Sequence, residues 1–303
     1  MAKYVPDTYT NRWVVFATQR AFRPDEHRED GKKVTKVKTI HLQKKQGYNY
    51  SPTCPFCFGN EHLTPPEVTR WSSHDGHEQL HPDHHWLVRV IPNKFPIADI
   101  HEVVIHGPDH SLDFIDLPEY HAEIIFKVFL QRFQVLSQKG TVIIFNNRGT
   151  ESGESLTHPH SQIVVLPRQI KLEVISLQPI NNIVEETPHY YVYCPDFSQW
   201  PYEMWVSLKQ FHEPSFVDHD TSHFNTISDE ELTELSQVMQ RILTRFHNKF
   251  PTASYNYYIH PYSPWYVRII PRLVPRAGFE LGTGIYVNIK DPALAANELK
   301  SEQ

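Results

Sequence analysis

Runs of β-branched and aromatic residues, separated by polar loops, predict a series of strands in the first half of the chain. The first such run lies at 12–17, and further runs lie at 86–91, 101–105, 141–147 and 161–167. The 24 prolines of the chain suit such a succession of short strands and loops.

One long helix is predicted between the third and the fourth of these strands. From Pro118 to Ser137 the apolar residues recur at helical spacing, and Gly140 follows as a stop signal. Residues 23–50 are polar and basic, and we expect a mobile loop there. The apolar helix positions expected to face the core are Ile124, Ile125, Val128, Phe129, Phe133 and Leu136.

The second half of the chain repeats this order. A strand at 203–208 precedes a helix that begins with SDEE at 228–231, a strong N-cap followed by acids in the first turn. Strands at 254–259 and 266–272 come next. The apolar positions of this second helix are Leu235, Val238, Met239, Ile242, Leu243 and Phe246.

The closing strands of the two halves share a sequence pattern. IVVLPR at 163–168 aligns with VRIIPR at 267–272, and this alignment sets His160 opposite Pro264. We interpret the pattern as an internal duplication of a strand–helix–strand–loop–strand unit, in which only the first copy kept its histidines. The alternative is that two such runs arose by chance, as they do in many α+β proteins.

Composition and charge narrow the classes of function. The net charge of −6 and the pI of about 6.4, without any block of Lys or Arg, argue against wrapping nucleic acid or binding an anionic membrane. The mean hydropathy is −0.48, and no apolar run approaches the roughly 18 residues of a membrane helix. The three cysteines and the lack of a signal-peptide core argue against a disulfide framework, so we expect a cytoplasmic protein.

The segment Thr157–Gln162, THPHSQ, carries the strongest candidate chemistry. His158 and His160 project to the same side if the backbone is extended, and Pro159 biases the preceding residue away from helical angles. A neutral imidazole nitrogen can attack phosphorus, and its protonated form leaves readily in the return step. The hexapeptide alone does not distinguish this role from that of a structural histidine pair.

Cys54 and Cys57 form a CxxC pair in a proline-rich loop. Two thiolates at this spacing chelate one metal ion, and histidines are the natural further ligands because the chain has no second CxxC. A redox pair is the rival interpretation, but such a pair normally begins a helix after a central strand. We therefore favour a metal site.

Two weaker patterns are compatible with nucleotide binding. Arg20 and Arg23 lie three positions apart after the first strand and can clamp one phosphate. Asn93 and Phe95 follow a strand end, where an amide and an aromatic ring can seat a nucleobase. Either pattern alone is also typical of ordinary surface residues.

The segment NNRG at 146–149, with Ser155 before the histidines, resembles the phosphate loops in which amide and hydroxyl donors lie beside glycines, or else an ordinary turn. Five histidines lie within residues 74–85, and we expect a solvated segment there rather than a second metal site.

Together these segments resemble the galactose-1-phosphate uridylyltransferase family, a branch of the histidine-triad superfamily. The resemblance runs in order through RAFRP, CPFCFGNE, VIPNKFP, GPDHS and HPHSQ, and continues more weakly to GFELGTGIYVN. It implies an α+β fold of duplicated histidine-triad-like units, each an antiparallel sheet with packed helices. Residues 1–177 would form the catalytic and zinc-binding half, and residues 183–303 the half that lacks the catalytic histidine.

The resemblance also implies roles for single residues. His160 matches the nucleophile that carries the nucleoside monophosphate, and Asn147 matches a further nucleotide contact. The other matches are the zinc ligands Cys54, Cys57, His110 and His158, the phosphate contacts Gln162, Ser155, Arg20 and Arg23, and the nucleotide-pocket residues Asn93 and Phe95.

The implied reaction is ping-pong uridylyl transfer by a homodimer that binds zinc. UDP-glucose gives its UMP to His160, glucose-1-phosphate leaves, and galactose-1-phosphate takes the UMP. Ser161 departs from the glycine that the uridylyltransferases usually have, and relatives that handle adenine nucleotides more often tolerate serine. The alternatives are therefore an adenylyltransferase or phosphorylase acting on ADP-glucose or dinucleoside polyphosphates, and a nucleotide-binding protein without turnover.

Overall fold

The chain forms two compact units. The first comprises residues 1–144 and 154–171, and the second comprises residues 145–153 and 172–303. The computed structural model describes residues 2–7, 12–26, 28–29, 32–33, 42–45, 47–72, 86–173, 177, 179–213 and 223–302. The histidine-rich segment 74–85 lies outside the described residues.

The first unit contains eleven described strands and one long helix. The last residues of β10 belong to the second unit. Its elements are β1 (Lys3–Pro6), β2 (Trp13–Phe16), β3 (Arg28–Glu29), β4 (Lys32–Lys33), β5 (Gln43–Lys45), β6 (Tyr48–Tyr50), β7 (Thr69–Trp71), β8 (Val88–Pro92), β9 (Ile100–Ile105), α1 (Glu119–Leu136), β10 (Thr141–Arg148) and β11 (His160–Leu166).

The second unit contains five described strands and three helices. Its elements are β12 (Ile183–Glu186), β13 (Tyr190–Tyr193), β14 (Met204–Leu208), α2 (Asp229–Lys249), β15 (Tyr255–His260), β16 (Tyr266–Pro271), α3 (Gly278–Thr283) and α4 (Pro292–Ser301).

Corresponding strands follow the same spatial order in both units. The first unit has the order β7–β8–β9–β11–β10, and the second has β12–β13–β14–β16–β15. The strand pairs β9–β11, β14–β16 and β15–β16 are antiparallel. Along the chain, each long helix lies between the third and the fourth of the five strands in its set. The matched topology supports the interpretation of the sequence as a duplication.

Both long helices lie where the hydrophobic periodicity predicted them. All twelve apolar positions named for α1 and α2 are buried, so each helix packs one face against its core. The predicted cap of α2 is present as a capping box, in which Ser228 and Glu231 each bind the backbone N–H of the other. None of the described helices is long and apolar enough to cross a lipid bilayer.

Gly140 is required for a reason other than ending the helix. A Cβ atom at this position would lie 2.3 Å from the carbonyl oxygen of Leu166 and 2.7 Å from Val165. The chain therefore needs a residue without a side chain where it turns from α1 into β10 and passes the end of β11.

The predicted loop over residues 23–50 is partly wrong. Strands β5 and β6 within it form an antiparallel hairpin, in which Lys45 pairs with Tyr48. Gly47, at φ +91°, makes the tight turn between them, and the ammonium group of Lys45 lies 4.8 Å from the ring centre of Tyr50. The lysines made this segment look like a loop, although their alkyl chains and cation–π contact suit a strand.

Candidate active site and metal centre

Strand β11 turns alternate residues to opposite faces, and this alternation positions the candidate catalytic side chains. His160 and Gln162 point to one face, where both line a cavity of about 510 Å³. Ser161 points away from it, and its hydroxyl lies 2.8 Å from Nε2 of His106. The expected extended backbone from His160 onward is confirmed.

The cavity lies within the first unit and combines an apolar lining with a few polar groups. This composition is typical of a small-molecule site, in which a few placed polar groups fix the orientation of the ligand. Its polar lining includes Arg23, Asn93, Ser155, His160 and Gln162, and its apolar lining includes Phe56, Leu63, Ile91, Phe95 and Val103.

The ring of His160 has a fixed orientation and tautomer. Its Nδ1 lies 2.8 Å from the carbonyl oxygen of His158, so Nδ1 carries the proton and Nε2 carries the lone pair. Burial, the main cause, lowers the pKa of His160 and favours the neutral ring. Phe56 packs against the rings of both His158 and His160, with centroid distances of 6.0 and 5.3 Å. This contact agrees with the prediction that the two histidines project to the same side.

Next to this cavity, Cys54, Cys57, His110 and His158 form a buried cluster that could hold a metal ion. Their candidate ligand atoms all lie within 4.8 Å of one another. The sulfur of Cys57 lies 3.2 Å from Nδ1 of His110 and 3.6 Å from Nδ1 of His158, and the sulfur of Cys54 lies 3.7 Å from Nδ1 of His158. A tetrahedral zinc ion with usual bond lengths would require sulfur–nitrogen separations of about 3.6 Å.

The donor set of this cluster fits a metal ion. His158 donates from Nε2 to the carbonyl oxygen of Gly107 at 2.8 Å, so its Nδ1 lone pair faces the two sulfurs. A hydrogen bond from the Cys54 thiol, the largest cause, lowers the pKa of Cys57 and favours a thiolate there. Converging lone pairs from sulfur and nitrogen are suited to a shared cation between them.

The carboxylate of Glu26 is connected to His110 through the hydroxyl of Thr157. Nε2 of His110 lies 3.2 Å from the hydroxyl of Thr157, and this hydroxyl donates to Glu26 at 2.9 Å. Glu26 also accepts from the backbone N–H of Thr157 at 2.8 Å and donates its own N–H to Ser155. The segment that carries Arg23 is thereby joined to the histidine loop and to a candidate metal ligand.

Arg20 and Arg23 lie close to each other at the cavity. Arg23 lines it, whereas Arg20 donates from Nη1 to the carbonyl oxygen of Phe95 at 2.8 Å. Burial, followed by repulsion from Arg23, lowers the pKa of Arg20 to about 10. Two nearby guanidinium groups favour an anion such as a phosphate between them.

The structure brings ten of the twelve predicted site residues into these two places in the first unit. Arg20 is not among the residues that line the cavity and instead contacts Phe95. Asn147 belongs to the second unit, where its side-chain oxygen accepts from Asn256 at 2.8 Å. Its expected nucleotide contact stays a prediction.

Sequence reasoning missed three residues that support the site, namely Glu26, His101 and Phe56. Phe56 lay within the recognised CPFC segment, and His101 is one of two polar residues near the start of a strand that is otherwise apolar, so each left a weak signal. Glu26 left none, since its partner Thr157 is 131 residues away in the chain.

Comparisons with known proteins agree with the geometry. The family model for the N-terminal domain of galactose-1-phosphate uridyl transferase matches residues 98–167, which include β9, α1, β10 and the histidines. The chain is 26% identical to the ADP-glucose phosphorylase of Arabidopsis thaliana, over 93% of this chain and 88% of that protein. It is 25% identical to the galactose-1-phosphate uridylyltransferase of Thermotoga maritima, over 86% of this chain and 93% of that protein.

The chain is therefore similar to the galactose-1-phosphate uridylyltransferase family. Its fold resembles the crystal structure of an Arabidopsis thaliana ADP-glucose phosphorylase with bound ADP-glucose, with a TM-score of 0.70 and 23% identity, over 100% of this chain and 99% of that one. The predicted α+β fold class is confirmed. These relatives support an enzyme of the nucleotidyltransferase or phosphorylase type.

Proposed function

We propose that the chain transfers a nucleoside monophosphate from a nucleotide sugar to a phosphate-bearing acceptor through a covalent nucleotidyl-His160 intermediate. One observation carries this proposal: the ring of His160, with its proton fixed on Nδ1, lines the same cavity as Arg23, Ser155 and Gln162. The lone pair on Nε2 of His160 is available for attack, and the neighbouring side chains can donate hydrogen bonds to phosphate oxygens.

In the first step, Nε2 of His160 attacks the phosphorus next to the nucleoside. The nitrogen–phosphorus bond forms as the bond to the bridging oxygen breaks, and hexose-1-phosphate leaves with that oxygen. The carbonyl oxygen of His158 accepts from Nδ1–H and stabilises the positive charge that develops on the ring. In the second step an acceptor phosphate oxygen attacks the same phosphorus, and the imidazole leaves with its lone pair restored.

Cationic and amide donors stabilise the negative charge on the transferring group. Arg23 is the guanidinium that lines the cavity, and Gln162 is the nearest amide on the same strand face as His160. Such donors act by stabilising charge in a site from which water is largely excluded.

We propose zinc as the metal of the cluster Cys54, Cys57, His110 and His158. With four protein ligands the ion would be structural, tying the loop of the cysteines to the loop that precedes His160. It would take no part in the bond-making steps.

We propose ADP-glucose as the donor and inorganic phosphate as the acceptor. Support comes from the relative aligned over 93% of the chain, an ADP-glucose phosphorylase, and from Ser161, where uridylyltransferases usually have glycine. The second candidate is the predicted UDP-glucose–hexose-1-phosphate uridylyltransferase, which the likeness to the Thermotoga maritima enzyme supports. Family resemblance also supports a homodimer, which sedimentation velocity would measure.

The test is intact-protein mass spectrometry after brief incubation with ADP-glucose or, separately, with UDP-glucose. We expect an acid-labile gain of one adenylyl group that is absent from a His160→Gly variant. A uridylyl gain alone would select the second candidate. No gain from either donor would favour a nucleotide-binding protein without turnover and would contradict the proposal.

A further inference from the structure

His101 is a buried histidine that does not line the cavity but contacts two residues that do. It lies in β9, is only 4% exposed, and is next to Gln162 and Asn93. Its partners lie on β11 and on the turn 93–97, two separate segments of the chain that both line the cavity. A change at His101 would therefore affect both segments.

The backbone determines which ring nitrogen of His101 carries the proton. The N–H of Ile97 can only donate, and it lies 3.0 Å from Nδ1, so Nδ1 must be the acceptor. In a neutral ring the single proton is then on Nε2, which lies 2.9 Å from the side-chain oxygen of Gln162. The ring thus donates to the oxygen of Gln162.

Asn93 does not compete for this hydrogen bond. Its side-chain oxygen accepts from the backbone N–H of Phe95 at 2.8 Å, so its amide nitrogen faces Nε2 of His101 at 3.2 Å. Both atoms are then donors, and the contact carries no hydrogen bond. The backbone N–H of Asn93 instead donates to the carbonyl oxygen of His101 at 2.7 Å, which fixes the turn in place.

The orientation of the Gln162 amide follows from this tautomer. Because its oxygen accepts from His101, its two N–H donors remain to serve the cavity, which Gln162 lines. A phosphoryl oxygen can only accept hydrogen bonds. The opposite orientation of the amide would turn an oxygen toward the negative charge of the transferring group and would repel it.

We propose that His101 is a positioning residue for nucleotidyl transfer, holding Gln162 in the orientation that donates to the phosphoryl group. This inference rests on the proposed function, since it assigns a task within the transfer to His160. His101 touches neither the substrate nor the reacting atoms, and acts only through Gln162 and the turn 93–97.

Two substitutions separate the two hydrogen bonds of the ring. In His101→Asn the amide oxygen can replace Nδ1 and still accept from Ile97, but no donor reaches Gln162. In His101→Gln the longer side chain can bring an N–H donor to the Nε2 position. His121→Asn removes another buried histidine of the same unit, whose ring nitrogen hydrogen-bonds to the carbonyl oxygens of Leu87 and His106, and it serves as a control for general loss of packing.

The experiment measures the single-turnover rate of adenylyl-His160 formation from ADP-glucose, together with the dissociation constant of ADP-glucose. We expect His101→Asn to slow the transfer roughly 100-fold with little change in donor affinity, since a misplacement of about 1 Å can cost this much. His101→Gln should recover most of the rate, and His121→Asn should keep it. Adding His101→Asn to Gln162→Ala should slow the transfer no further.

Several outcomes would overturn the proposal. If wild-type protein is labelled and His101→Asn transfers at the wild-type rate, or if its effect multiplies with that of Gln162→Ala, the positioning role is wrong while the proposed function stands. If wild-type protein is not labelled at all, both fail. Nitrogen-15 NMR of the imidazole rings gives an independent result: a proton on Nδ1 of His101 near neutral pH contradicts the inference, and one on Nε2 alone supports it.

Discussion

The contact of Glu26 with Thr157 makes a quantitative prediction about the metal cluster. One carboxylate oxygen accepts two hydrogen bonds from Thr157, at 2.8 and 2.9 Å, and the same hydroxyl lies 3.2 Å from the ring of His110. Glu26→Ala removes this acceptor and leaves the hydroxyl free to turn away from His110. We expect metal affinity to fall by about 10- to 100-fold, which is the usual effect of losing a hydrogen bond behind a metal-bound histidine.

Glu26→Gln is the matched variant, because its amide oxygen can still accept both hydrogen bonds. Only the charge is lost. A hydrogen bond to a charged group contributes about 1 kcal/mol more than one between neutral groups, so Glu26→Gln should lose several times less metal affinity than Glu26→Ala. Glu123→Gln, on the partly exposed face of α1, should change nothing. The assay is competition for zinc against a chelator of known affinity. Wild-type affinity in Glu26→Ala would refute the inferred support of His110.

Three further predictions concern the metal, acid stability and backbone. Cys54→Ser should lose the metal and lower the melting temperature, whereas His160→Gly should keep the metal, as measured by elemental analysis; full metal content in Cys54→Ser would remove that residue from the site. Burial lowers the pKa of His101 to about 3, whereas a histidine in the unfolded chain titrates near 6.5, so the free energy of unfolding should fall below pH 6.5 by up to about 1.4 kcal/mol per pH unit. Urea titrations of His101→Leu should show a free energy of unfolding that depends less steeply on pH, and an equal slope would contradict the reasoning. Gly149→Ala should destabilise the protein by more than Gly153→Ala in thermal unfolding, because both have positive φ but only at Gly149 would a Cβ lie 2.4 Å from Ser254; equal losses would show that the close contact relaxes.

The two long helices and several of the sheet strands were predictable because the spacing of their apolar residues marks them. Helices α1 and α2 each bury one face, so their apolar residues recur at the helical period whatever else surrounds them. Strand β11 was equally clear, since it is buried on both faces apart from its last residue. The hairpin of β5 and β6 was not predictable, because its lysines and polar residues resemble those of a loop.

The candidate site was predictable only where its residues are neighbours in the sequence. His158 and His160 are two residues apart, and the Cys54–Cys57 spacing is short enough to read directly. His110 came from the family resemblance and not from spacing. The roles of Glu26 and His101 depend on distant partners and on which ring nitrogen carries a proton, and neither property is visible in a single sequence.

The central claim is that His160 becomes covalently nucleotidylated. The most direct test is peptide mapping by mass spectrometry of protein mixed briefly with ADP-glucose and quenched in base, which preserves a phosphoramidate. The account predicts one adenylyl group on His160, released when inorganic phosphate is added. An adduct on another residue, or turnover of the nucleotide sugar by the His160→Gly variant, would contradict it.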